Sequence, residues 1–328
     1  MPNIFYFLAV ARPTVGPDGN PCRLPSIPRY STEKIIVAGG DQPGSGLHEL
    51  NTPLALALDS AGNLFVADSK NRRVMKYKSN SRTGEIVVGD GTDRYPKIEH
   101  PLSRILIDRN DLLYTFVPES SAGGRLIVWS SASDKGTWHR ARISECRGLV
   151  IDSHLNPWAA SNGLDIDAYV GAEHSRKSSR PLFGLNDSAG ILPVGSSNLY
   201  CDADDNQHAI DISKRRVERI APYQKYSVRV LTNTPILSAI TGDCHKNLYT
   251  IDSDATLIIY NSTGHIISKM SGVLDHPRDS PAGKEAYSKL GKGDVMPDFF
   301  SSLALNPANG DLYVIMLGYD RVTKFTLA

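Results

Sequence analysis

From residue 53 to residue 77 the chain reads Pro53-Leu-Ala-Leu-Ala-Leu-Asp59, Ser60-Ala-Gly-Asn63, Leu64-Phe-Val-Ala-Asp68, Ser69-Lys-Asn-Arg72-Arg73 and Val74-Met-Lys-Tyr77. The apolar runs contain β-branched and aromatic residues and read as strands. The polar cluster Asp59 to Asn63 supplies the Asp, Gly and Asn that tight hairpins favour. The segment predicts strand, turn, strand, turn, strand.

The same grammar returns in five further copies. Ile105-Leu-Ile-Asp108 precedes Leu113-Tyr-Thr-Phe116, and Leu149-Val-Ile-Asp152 precedes Asn156-Pro-Trp158. Leu199-Tyr-Cys-Asp202 comes with Asn206 and Ile210-Asp211, and Ile240-Thr-Gly-Asp243 with Asn247-Leu-Tyr249 and Asp252. Leu303-Ala-Leu-Asn306 precedes Leu312-Tyr-Val314. The turn-opening residues at 59, 108, 152, 202, 243 and 306 lie 41 to 63 residues apart, close to one four-stranded blade each. Such a sheet cannot cover both of its partly apolar faces alone, so the copies must pack radially around a shared axis.

Fourth strands are expected at Ile86–Val88, Arg140–Ile143 and Tyr226–Leu231. The last copy has its third strand at Arg321–Thr326, and Lys34–Ala38 is the expected donor of its fourth, closing the ring and removing an exposed edge. The expected fold is all-β: a six-bladed β-propeller of four-stranded antiparallel blades over residues 34–328, closed by an N-terminal strand. Residues 1–33, with prolines at 2, 13, 17, 21, 25 and 28, read as an extended arm outside the ring.

Residues 53–74 resemble the NHL-repeat motif, Pro-x-x-(apolar)-x-(apolar)-Asp-x-x-Gly-Asn-(apolar)-Tyr-Val-Ala-Asp-x-x-Asn-x-Arg-(apolar), almost in full. The loop Gly39-Gly40-Asp41 to Pro53 and the segment Asp279-Ser-Pro-Ala-Gly283 resemble the family's glycine-rich approach to a blade. The second to fourth copies depart most, with Val117 and Ser161 at the second Asp position and no Gly before Asn206. The resemblance implies a six-bladed ring with ligands bound at one mouth of its central channel.

Composition excludes some functions and leaves others open. With 41% hydrophobic and 22% charged residues among 328, the chain has material for a core. Its 36 basic and 35 acidic residues give a net charge of +1, so no broad field draws in nucleic acid or anionic membrane. No apolar stretch approaches the roughly 18 to 20 residues of a transmembrane helix. Ile4 to Ala11 is apolar and ends in the small-x-small pattern Ala9-Val10-Ala11, a weak secretion signal without a basic leader, and the compartment stays open. Cys22, Cys146, Cys201 and Cys244 are even in number but scattered, with no CxxC pair. Asn186-Asp-Ser188 and Asn261-Ser-Thr263 are sequons that matter only in a secreted protein.

The resemblance places the residue five before each turn-opening position near the mouth, which gives Leu54, Ser103, Arg147, Ser197, Ser238 and Ser301. None is a His or a carboxylate, so neither a converging metal set nor a catalytic constellation emerges, and no cofactor is expected. Arg147 among small hydroxyls can grip a carboxylate or phosphate, or pair with a carboxylate of a neighbouring blade. His100 and His276 join Ser103, Ser197, Ser238, Ser301 and Arg147 as candidate ligand- or partner-binding residues.

Other motifs receive structural readings. Asp202-Ala-Asp204-Asp-Asn206 begins like a calcium loop but lacks the later Gly and Glu, and also fits a blade hairpin. The basic clusters Asp68 to Arg73 and Asp211 to Arg216 follow the repeat's own Asp-x-x-Asn-x-Arg grammar and lack the interleaved aromatics that base stacking needs. Nucleic acid is not the expected partner. The loop from Ser271 to Asp298, with a helix start at Ser280-Pro281 and a stop at Gly291, reads as a lid or docking surface.

The expected function is a noncatalytic binding or scaffolding propeller with a protein partner, as a subunit of a larger complex. The alternative is a propeller hydrolase or lyase of the gluconolactonase, strictosidine-synthase or peptidyl-amidating-lyase type, with a small-molecule site at the mouth. A third reading is a secreted recognition protein.

Overall fold

The computed structural model describes residues 22–89, 98, 101–119, 123–129, 137–141, 146, 148–153, 155, 157–160, 166–168, 198–212, 214–222, 227–273, 302–316 and 320–328. Within them lie antiparallel sheets in chain order. The first holds β2 (Pro53–Leu58), β3 (Leu64–Asp68), β4 (Arg73–Tyr77) and β5 (Glu85–Val88). The second holds β6 (Arg104–Ile107), β7 (Leu113–Glu119), β8 (Gly123–Trp129) and β9 (Thr137–Ala141). β10 (Gly148–Ile151), β11 (Pro157–Ala160) and β12 (Ile166–Ala168) form a three-stranded sheet.

Next come β13 (Leu199–Cys201), β14 (Gln207–Asp211), β15 (Arg216–Ile220) and β16 (Val228–Leu231), then β17 (Leu237–Gly242), β18 (Leu248–Asp252), β19 (Leu257–Tyr260) and β20 (Ile266–Met270). The last sheet joins β1 (Ile35–Gly39) to β23 (Arg321–Phe325), β22 (Leu312–Met316) and β21 (Leu303–Leu305). The innermost strands β2, β6, β10, β13, β17 and β21 touch in that order, and β21 returns to β2.

The expectation of six four-stranded blades is corrected: among the described residues five blades have four strands, and the copy after Asp152 contributes three. Residues 169–197, which follow β12 and precede the next blade, lie outside the described residues.

In four blades the hairpin between the first and second strands is built by one aspartate side chain. Asp59 Oδ1 accepts the amides of Ala61 and Asn63, and Asp108 Oδ1 those of Asn110 and Leu112. Asp202 does the same for Asp204 and Asn206, and Asp243 for His245 and Asn247. The residue three after each Asp turns left-handed: Gly62 at φ 77°, Asp111 at 59°, Asp205 and Lys246 at 62°. An acceptor-only carboxylate satisfies two donors that a tight turn leaves unpaired, which explains Asp at this position.

The core lies between sheets. Phe65, Ala67 and Val74 pack against Leu102, Ile105 and Leu113 of the next blade, and Tyr249, Ile251 and Leu257 against Leu303, Leu312 and Val314. Each fully buried aliphatic or aromatic side chain contributes about 1.5 to 3 kcal/mol. Leu56, Val66 and Met75 pack against Tyr313, Ile315 and Val322 at the junction of the last blade with the first.

That junction is closed as the pattern predicts. β1 pairs antiparallel with β23, Ile35 opposite Lys324 and Gly39 opposite Arg321. The segment before β1 adds a strap. Tyr30 bridges Leu327, its hydroxyl donates to the Gly310 carbonyl at 2.9 Å, and its ring meets Tyr249 edge-on. The strap continues across the β17–β18 hairpin, where the Leu24 carbonyl lies 2.7 Å from His245 Nε2 and the Ser26 carbonyl accepts from Asn247 Nδ2. A Cys22–Cys244 disulfide fixes its far end.

Candidate functional site

Strand alternation gives each blade two ends. The innermost strands begin, and the second and third strands connect, at one end, termed here the entry end. The Asp-built hairpins and the strap occupy the other.

At the entry end, the Asp-x-x-Asn-x-Arg grammar folds into a closed polar unit. Asp68, fully buried, accepts from Arg73 Nε at 2.6 Å, Asn71 Nδ2 at 2.8 Å and the Asn51 amide at 2.7 Å. Burial pushes the Asp68 carboxyl above its usual range, and these three donors oppose that rise. The Arg73 guanidinium continues into the loop before β2 and donates to the carbonyls of Ser45, Gly46 and Glu49. Five donors in a rigid fork let one side chain hold three strands of chain together.

The unit recurs on the blade holding β14. Asp211 Oδ2 accepts from Arg216 Nε at 3.0 Å, Asp211 Oδ1 accepts the Lys214 amide, and Arg216 also pairs with buried Glu218. On the last blade Arg321 pairs with Asp41, and Asp320 Oδ1 accepts the Thr52 amide at 2.6 Å. Of the two basic clusters expected to play a structural part, Arg73 and Arg216 do so. Arg72 and Arg215, beside them, are exposed and left-handed, at φ 54° and 49°. Lys70 and Lys214 are exposed in the same two turns.

Among the residues expected at the mouth, Ser103 is half-buried just before β6. Its amide donates to the Phe116 carbonyl at 3.1 Å, and its hydroxyl is buried without a hydrogen-bond partner among the described residues. Ser238 is buried in β17, and its hydroxyl donates to the Ile251 carbonyl at 3.1 Å. Arg147, Ser197, Ser301, His100 and His276 lie outside the described residues, as does the loop from 274. Ser302, one residue beyond an expected position, was missed by counting. Its hydroxyl accepts the Leu56 amide at 3.3 Å and links the last blade to the first.

The Asp202 to Asn206 segment is a blade hairpin. Asp202 also accepts from Asn206 Nδ2 and lies 2.9 Å from His208 Nε2, while Asp204 pairs with Lys246 and Asp205 takes the amide and hydroxyl of Ser153. Burial raises the Asp202 carboxyl, but bonds from His208 and Asn206 outweigh it and hold the group below its usual range. Tyr114 and Tyr249 occupy the His208 place in their own blades and donate to Asp108 and Asp243. Among the described residues no three His, Cys, Asp or Glu side chains gather as a metal site.

Two cysteines remain as thiols. Cys146 is buried, and burial pushes it up to about 12, with Arg104 and the Gly148 backbone opposing. Cys201 is also pushed up by burial, and then by Asp205 and Asp202, which makes both poor nucleophiles. No helix of the described residues is long and apolar enough to cross a membrane.

No family model matches the chain, and no curated protein sequence matches it. Solved structures do match. A gluconolactonase from Xanthomonas campestris is 9% identical with a TM-score of 0.57, covering 92% of this chain and 94% of that one. A virginiamycin B lyase from Staphylococcus aureus is 11% identical with a TM-score of 0.54, covering 92% and 100%. A chain of a nidogen/laminin complex is 17% identical with a TM-score of 0.52, covering 67% and 80%. At these identities the likeness concerns fold alone, and with the sheet topology it makes this chain an all-β propeller built on antiparallel four-stranded blades.

Proposed function

We propose that the chain is a noncatalytic binding propeller of the NHL type, a subunit of a larger complex whose entry end holds a protein partner. One observation carries this reading. The entry-end carboxylates Asp68 and Asp211 are consumed by Arg73 and Arg216, whereas Arg72, Arg215 and Lys214 face solvent from the same braced turns. Groups suited to acid–base chemistry are spent on shape, and the outward cations sit on loops already fixed, which lowers the ordering cost of binding. A partner with an acidic docking face fits them. The nidogen/laminin match offers a precedent for this fold within a protein complex.

A second reading, a hydrolase or lyase with a small-molecule site at the mouth, is favoured by the near full-length likeness to the gluconolactonase and the lyase. The buried Ser103 hydroxyl is its best anchor. Turnover of a panel of lactones and cyclic peptide lactones, with calcium, magnesium or zinc supplied, separates the two. The binding reading expects rates equal to the enzyme-free blank. Turnover that disappears in Ser103→Ala overturns it.

A further inference from the structure

Asn261 opens the β19–β20 hairpin, at the same end of its blade as Asp243 and Cys244. Its Oδ1 accepts the amides of Thr263 at 3.1 Å and His265 at 2.9 Å, and the Thr263 hydroxyl at 2.8 Å. Aspartate performs this turn-building at 59, 108, 202, 243 and 252. The amide nitrogen of Asn261 takes no part in these bonds, so the turn alone does not call for asparagine over aspartate. The triplet Asn261-Ser262-Thr263 is a complete acceptor sequence for N-linked sugar, with Ser262 and Thr263 exposed at the hairpin tip.

Two further observations point the same way. The Cys22–Cys244 disulfide, in the neighbouring hairpin of the same blade, belongs to chains matured in an oxidising compartment, where sugar transfer to asparagine also occurs. The hairpin also stands beside uncovered apolar surface. Gly264 lies against the Val230 carbonyl of β16, and Val228 of that outer strand and Ile266 of β20 are 55% and 49% exposed. Outer strands with exposed aliphatics invite edge pairing unless something covers them.

We propose that Asn261 is an N-glycosylation site whose glycan shields the outer edge formed by β16 and β20. In the transfer, Asn261 Nδ2 forms a bond to the anomeric carbon of an oligosaccharide carried on a lipid pyrophosphate. The bond from that carbon to the pyrophosphate oxygen breaks, its electron pair leaves with the lipid pyrophosphate, and the amide gives up one proton. The site lies at the end opposite the exposed arginines, so a glycan there leaves the entry end open.

The test is a peptide map of the protein isolated from its native source, before and after peptide N-glycosidase in heavy-oxygen water. The expected result is a glycan on the peptide containing residue 261, conversion of that residue to labelled aspartate on release, and a linked Cys22–Cys244 peptide in the same digest. Asn261→Asp, secreted from eukaryotic cells, is expected to keep the hairpin, lose the sugar and self-associate more than the glycosylated protein. An unmodified 261 peptide, a glycan at Asn186 alone, or free thiols at Cys22 and Cys244 overturns the proposal.

Discussion

Cys22 and Cys244, 222 residues apart in sequence, are joined by a disulfide that fastens the segment before β1 to the β17–β18 hairpin. The bond acts where a propeller is weakest, because the last blade is held to the ring through pairing of the two ends of the chain. β1 supplies its outer strand, and the strap from Cys22 to Ser31 ties that strand to the neighbouring β17–β20 blade and to the far end of its own.

Reduction, or the pair Cys22→Ser with Cys244→Ser, removes the longest-range constraint on the unfolded chain and lowers stability by about 2 to 5 kcal/mol. Urea unfolding with and without reductant measures this. The effect of reductant is expected to vanish in the double variant.

Gly39 ends β1 with φ 69°, and a Cβ there meets the Asp320 carbonyl at the β23 end of the closure. Gly39→Ala therefore carries both left-handed strain and a backbone clash, at a cost of at least about 2 kcal/mol. Hydrogen exchange is expected to rise first in β1 and β23.

Arg73 is buried and holds Asp68 and three carbonyls. Arg73→Lys keeps the charge but loses the fork, and Arg73→Met leaves Asp68 buried without its cation, costing about 3 to 5 kcal/mol. Arg72→Ala, one residue away and exposed, is expected to change thermal stability by less than about 0.5 kcal/mol. Calorimetry of the three variants checks the order.

Asp202 titrates below its usual range in the folded chain despite its burial, because His208 and Asn206 donate to the ionised form. For a carboxylate with a depressed folded pKa, the stabilisation is complete above the unfolded value, about 3.9, and is lost as pH falls through the folded one. Asp202→Asn is expected to remove this component, so its stability falls less steeply below about pH 4 than that of the parent.

The blades were legible because their signals are local. Asp59 to Asn63 names its own turn, and Asp68 to Arg73 its own ion pair, within a few residues of sequence. Pairing of Cys22 with Cys244 was not legible, since four scattered cysteines allow three connectivities and only the closed ring brings the strap beneath Asp243. Counting from the turns gave Ser301, which lies outside the described residues, and did not single out Ser302, whose hydroxyl makes a cross-blade bond. A one-residue slip moves a strand's side chains to its other face, so position along a blade is easier to read than orientation. Six full blades were expected from six turn signals, but a turn signal marks only the first hairpin of a blade and not its fourth strand, and among the described residues the sheet of β10 to β12 has three strands.

The protein partner proposed for the braced entry-end turns is open to capture by photo-cross-linking in the native source, with the reactive side chain at position 70 or 214 and a control at position 262 on the opposite end. One discrete adduct with the same acidic protein is expected from both entry-end positions, lost in Arg72→Glu with Arg215→Glu, and none from position 262. Adducts no more abundant at 70 and 214 than at 262, or unchanged by charge reversal, contradict the proposal.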